Sequence, residues 1–222
     1  MKQKMSRRIL FWIMICPVLS LAEIYHSNDY QIEVNQYSEF QTIELSGEFG
    51  FLTSMKPAKQ ALENLTLGKN TVLIIKNNNG GYLSKFQDFM DQVKSICSAS
   101  ESNSSCKLVT YASGKCNSAC IDLFVQGDFR IADDRALFGF HRLWMITPGL
   151  SIQSNQQMMD KFVKYGADPD WFKNQTHIFQ SKDNNLSILS GYDMVDARMA
   201  DTMIRSTQWH QTILNFLRSS EN

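Results

Sequence analysis

Residues 70–97 read NTVLIIKNNNGGYLSKFQDFMDQVKSIC, and two changes of pattern inside this stretch decide the fold. Asn70 to Lys76 is a β-branched apolar run, short and bounded by polar residues, which is the form of a buried strand. Asn77-Asn78-Asn79-Gly80-Gly81 is turn chemistry. From Ser84 to Cys97 the residues Phe86, Phe89, Met90, Val93 and Ile96 recur at helical spacing on one face, so an amphipathic helix follows the strand.

The theme repeats on either side. Downstream, Lys107 to Tyr111 (KLVTY) reads as a strand, Ala112 to Asn117 as a turn, Ser118 to Val125 as an apolar helix and Phe129 to Phe140 as further strand material. Upstream, Gln41 to Phe51 alternates as a strand does, and Pro57 to Leu67 reads as a helix. Between Ser151 and Gln180 the residues Met158, Met159, Phe162, Trp171, Phe172 and Phe179 predict two helices broken near Gly166 and Pro169. A final helix is expected from Tyr192 to Met203 and beyond, with Met194, Val195, Met199 and Met203 inward and a polar tail after it. The methionines and tryptophans are expected in the core or at a subunit contact rather than around a cofactor. Alternating strands and helices predict an α/β domain of stacked βαβ units around a mainly parallel sheet. No internal repeat or linker divides the chain, so a single domain is expected.

Composition bounds the function. Of 222 residues 43% are apolar, and 22 Lys and Arg balance 22 Asp and Glu, so no global field draws the protein to nucleic acid. Lys2, Lys4, Arg7 and Arg8 precede an apolar run from Ile9 to Leu21 and a small-residue site at Ser20-Leu21-Ala22, the pattern of a secretory signal. That run contains Pro17 and is shorter than the roughly 20 residues a spanning helix needs. Residues 1–22 are therefore read as a signal peptide and 23–222 as an exported domain, periplasmic or secreted. Losing the signal removes Cys16 and leaves Cys97, Cys106, Cys116 and Cys120, an even number suited to disulfides. Three connectivities are open and zinc is the rival, but the spacings lack paired C-x-x-C knuckles. Cys97 with Cys106 and Cys116 with Cys120 is the favoured pairing, and no metal or organic cofactor is expected.

Acyl chemistry by serine needs a hydroxyl in a sharp turn, a base within hydrogen-bond reach and donors for the oxyanion. Gly114-Lys115-Cys116-Asn117-Ser118-Ala119-Cys120 would place Ser118 at a strand-to-helix turn. Phe138-Gly139-Phe140-His141-Arg142 is an apolar strand ending in a histidine, and Gly80-Gly81 would let a bare N–H approach a substrate carbonyl. Taken alone, a serine opening a helix is an N-cap. The three segments together reverse that preference.

This order, Gly-Gly before an amphipathic helix, Ser opening a helix and His some 23 residues later, resembles the ClpP proteolytic subunit. The nucleophile turn C-x-S-A-C and the base in G-x-H-R are similar to those of exported ClpP-like proteins. The likeness covers roughly Asn70 to Asp201, including Leu189-Ser190 and the closing helix Asp193 to Asp201. It implies the ClpP/crotonase fold, a peptide or protein substrate, a homo-oligomer, Ser118 as nucleophile, His141 as base and then acid, and the N–H groups of Gly81 and Ala119 as the oxyanion hole. An ATPase partner is not expected where ATP is scarce. The third member departs from the family: a gap-free fit puts Leu186 at the orienting position, with Asp183 the nearby candidate and Asn184 or Asn185 as alternatives. The rivals are a binding or assembly protein that has lost the orienting aspartate, a crotonase-type acyl-CoA enzyme, and a Ser-Lys peptidase using Lys115.

Overall fold

A computed structural model describes residues 22–99, 106–141, 148–175 and 186–219, and of 148–154 the backbone alone. The signal run, residues 100–105, Arg142, Trp144, Met145, His177, Phe179 and Asp183 lie outside the described residues.

The apolar run lies inside the sheet as strand β4, Thr71–Gly81, which continues through the asparagines and glycines. Its side chains alternate between two cores. Leu73 and Ile75 join the larger one with Phe86, Phe89 and Met90 of helix α2, Leu83–Ser98. Val72 and Ile74 join the smaller one on the opposite face. A strand covered on both faces has no polar side, which is why the run reads as continuous rather than alternating.

Around β4 the sheet grows in both directions. Strands β1, Glu23–His26, and β2, Tyr30–Gln36, pair antiparallel with each other, and β2 pairs antiparallel with β3, Gln41–Phe49. Strand β3 runs parallel to β4, with helix α1, Lys56–Glu63, between them in sequence. The first half of β4 runs parallel to β5, Leu108–Ala112, and β5 to β7, Phe129–Asp133. Its second half instead pairs through Asn78 with Cys116 of β6, Lys115–Asn117. Beyond β6 come β8, Leu137–Phe140, and antiparallel β9, Ser187–Ser190. The result is a mixed α/β fold whose sheet is mostly parallel.

The carboxyl half departs from the sequence expectation. The helix expected from Tyr192 to Met203 is α6, Gly191–Asp196, opened by a capping box between Ser190 and Asp193. Arg198 at φ 55° turns the chain, and Thr202–Ile204 forms β10, parallel to Ile131–Asp133 of β7. The Asp201 carboxylate explains the diversion. It accepts from the Arg130 backbone N–H at 2.7 Å and from Arg130 Nη2 at 2.7 Å, which draws this segment alongside β7. Where a polar tail was expected, α7, Trp209–Ser219, buries Ile213 and Leu217 in the smaller core. The two helices separated near Gly166 and Pro169 are α4, Pro148–Lys164, and α5, Pro169–Asn174. Among the described residues no helix is long and apolar enough to cross a membrane.

Candidate active site

Beyond Ile75, β4 leaves β5 and bends toward β6. Asn77 adopts φ 41°, and its Oδ1 accepts from the Lys115 N–H at 3.3 Å. Asn78 is fully buried and accepts the Gly80 N–H on its Oδ1 at 2.8 Å. Its Nδ2 has no partner among the described residues, which costs about 1–3 kcal/mol. Gly80 follows at φ 85° and Gly81 at φ 134°. A methyl group on Gly80 would sit 2.5 Å from the Asn117 carbonyl oxygen and 2.8 Å from Ser118 Cβ, so only glycine lets β4 pass this close to the turn.

That turn joins β6 to the short helix α3, Ala119–Phe124. At its apex Ser118 holds φ 56° and ψ −125°, a conformation that costs an L-residue about 1–3 kcal/mol. It is held from both sides: the Ser118 N–H donates to the Gly139 carbonyl at 2.8 Å, and the Ser118 carbonyl accepts from the Ile121 N–H at 3.0 Å. The Ser118 side chain makes no capping hydrogen bond to α3, which removes the N-cap reading. Its Oγ lies 2.6 Å from Nε2 of His141, which follows the last residue of β8. With Nε2 unprotonated the serine hydroxyl donates this bond.

Beneath the turn Cys116 and Cys120 form a disulfide, fully buried, with their Cα atoms 5.3 Å apart. Cys97 and Cys106 form the second, Cα atoms 5.4 Å apart, between the end of α2 and the start of β5. The four thiols expected to pair do so two by two, which leaves none of them as a zinc ligand.

Ser118 and His141 open onto a cavity of about 530 Å³. Gly81, Tyr82 and Leu83 form one side, Ala119, Ile121 and Asp122 another, and Phe140 and residues of α4 the rest. Four residues named from sequence, Ser118, His141, Gly81 and Ala119, thus meet at one cavity. Lys115 does not; it is exposed on β6 and pairs in register with Leu137. Leu186, at the gap-free orienting position, lies against Gly139, where a Cβ would meet its Cδ1 at 3.0 Å. Asp183, Asn184 and Asn185 lie outside the described residues.

Sequence reading missed the wall supplied by α4. Gln157, Met158, Lys161 and Phe162 line the cavity, and Met158 packs against the larger core as well, as expected of it. It also passed over Asp122, the single charge in the apolar helix ACIDLF. An acid inside an otherwise buried helix, four residues after a candidate nucleophile, is the signal that was there to be read.

No family model matches this chain, and no curated protein does. Among solved structures it is similar to a mutant of ClpP1 from Listeria monocytogenes, with 13% identity and a TM-score of 0.49 over 68% of this chain and 81% of that one.

Proposed function

We propose that this protein is an exported serine hydrolase of the ClpP/crotonase-like fold, cleaving peptide bonds or a related acyl linkage through an acyl-serine intermediate. The observation that carries the reading is the 2.6 Å contact between Ser118 Oγ and His141 Nε2, made by a serine held at φ 56° on the wall of a cavity. A strained non-glycine residue whose hydroxyl ignores its own helix and faces a base is the arrangement an activated nucleophile needs.

In this reading Ser118 Oγ attacks the substrate carbonyl carbon while its proton passes to His141 Nε2. The oxyanion of the tetrahedral intermediate accepts from the N–H groups of Gly81 and Ala119, both on the cavity wall. Collapse expels the amine, which takes the proton from His141, and leaves the acyl group on Ser118. Water then attacks the ester, gives a proton to His141 and releases the acid as Ser118 recovers its hydrogen. Asp183 is assigned to orient the imidazole. The two disulfides support an oxidising compartment, and thus cleavage of the chain after Ala22. A homo-oligomer belongs to the same proposal.

Fluorophosphonate labelling of the oxidised 23–222 protein tests this, with mass mapping of the adduct. An adduct at Ser118, reduced on the order of 10³-fold or more by Ser118→Ala and by His141→Ala, is the expected result. Folded protein without an adduct would instead be a binding or assembly protein on the same fold.

A further inference from the structure

The cavity beside Ser118 contains a feature that acyl transfer does not require. Asp122 stands four residues after Ser118, in the short helix α3 that the Ser118 turn opens. It is 3% exposed and lines the cavity. Across from it Lys161 of α4 places Nζ 2.7 Å from Asp122 Oδ1 and 2.8 Å from Oδ2, and lines the cavity too. The neighbouring walls are apolar: Ile121, Phe140, Met158 and Phe162. The site is therefore an apolar cavity that holds the nucleophile and, four residues further along the chain, the buried half of an ion pair.

The chemistry of that pair is visible in what already bonds it. Gln126 Nε2 donates to Asp122 Oδ2 at 3.1 Å, and Lys161 donates to Gln87 Oε1 at 2.8 Å. Both partners are side-chain amides, one used as a donor and one as an acceptor. The charges discriminate by sign. A substrate carboxylate would compete with Asp122 for Lys161 and meet the repulsion of Asp122, and a substrate cation would compete with Lys161 in the same way. A carboxamide can accept from the ammonium and donate to the carboxylate at once; a hydroxyl or a neutral imidazole can do the same, but only glutamine carries such a group at the end of two flexible methylenes. An apolar side chain long enough to reach the pair would displace water from it without replacing the hydrogen bonds that water made.

We infer that Asp122 and Lys161 form the far end of the subsite for the residue on the acyl side of the scissile bond, and that they select glutamine. Two methylenes lie along the apolar walls and the terminal amide bridges the pair. Asparagine, one bond shorter, falls short of it. The inference rests on the serine-hydrolase reading, which fixes where the scissile carbonyl sits.

Peptides that differ only in this residue, Gln, Asn, Glu, Lys, Leu or Met before a coumarin amide, test it by kcat/KM. Glutamine should lead by about tenfold or more. In Lys161→Met the Gln-to-Leu ratio should fall to near or below one; because it is a ratio, any general loss of activity cancels. A leucine-first profile in the wild-type protein, or a Gln-to-Leu ratio unchanged in Lys161→Met, overturns the inference. If no peptide is turned over, calorimetric binding of the Gln and Leu peptides to Ser118→Ala decides: tighter Gln binding supports the subsite, and equal or weaker binding overturns it. A missing fluorophosphonate adduct at Ser118 counts against the hydrolase reading and not against the subsite, so the two failures are told apart.

Discussion

At Gly80 the chain has no room for a side chain: φ is 85°, and the atoms that an added methyl would strike belong to the turn that carries Ser118. Gly80→Ala should therefore act twice. Strain of about 1–3 kcal/mol should appear as a lower thermal midpoint. Displacement of the turn should also slow fluorophosphonate labelling of Ser118, whereas a comparable loss of stability elsewhere should leave the labelling rate of the folded protein unchanged. Asp133 offers a second test at this scale. Burial pushes its carboxyl upward, but bonds from the Arg135 backbone N–H at 3.0 Å, the Tyr111 hydroxyl at 2.8 Å and the Arg135 side chain outweigh it and hold the group below the usual range. A carboxylate depressed in the folded state stabilises above its unfolded value, near 3.9, and that stability is lost as pH falls through the lower folded value. Asp133→Asn should flatten this acid limb of the thermal midpoint. That Ser118 and His141 would face each other was legible in sequence because each sits in a short local motif. Asp122 and Lys161 were not, because their meeting depends on how α4 docks, and no pattern within either helix encodes that.

Elements were legible where periodicity was long. The α2 face was read correctly, with Phe86, Phe89, Met90 and Val93 all buried, because several turns repeat the same spacing. Strands β6 and β10 were not, since three residues hold too little pattern to outweigh a turn signal or a run of methionines. The two disulfides make a matched pair for testing what an element contributes. Chain entropy gives about 2 kcal/mol for the short Cys116–Cys120 loop and about 2.5 kcal/mol for Cys97–Cys106, closed over separations of 4 and 9 residues. Paired alanine substitutions should thus lower stability by similar amounts in urea unfolding. Only the Cys116→Ala/Cys120→Ala protein should also label more slowly at Ser118, because that bridge alone spans the nucleophile turn. Equal labelling of the two variants would reduce Cys116–Cys120 to a staple.

Across the whole molecule the mainly parallel sheet was legible, because strand and helix patterns alternate, but the additions at both ends were not. The first strands are antiparallel, and α7 lay hidden in what read as a polar tail. These additions meet. Arg218 of α7 bonds Glu39 at 2.7 Å, a contact between residues 179 apart, and His210 packs against Tyr37 and Phe40. Ending the chain before Trp209 should strip the smaller core of Ile213 and Leu217, leaving Phe40, Val72, Val109 and Ile131 uncovered on a sheet face. Dye binding to exposed apolar surface and aggregation on warming are the expected outcomes. The same closure has a consequence in time. A chain leaves the ribosome amino end first, and one face of this sheet stays bare until α7 follows it. Until α7 docks, the apolar side chains of Val72, Val109 and Ile131 face solvent, so the smaller core is completed late in folding however early the rest of the sheet has formed.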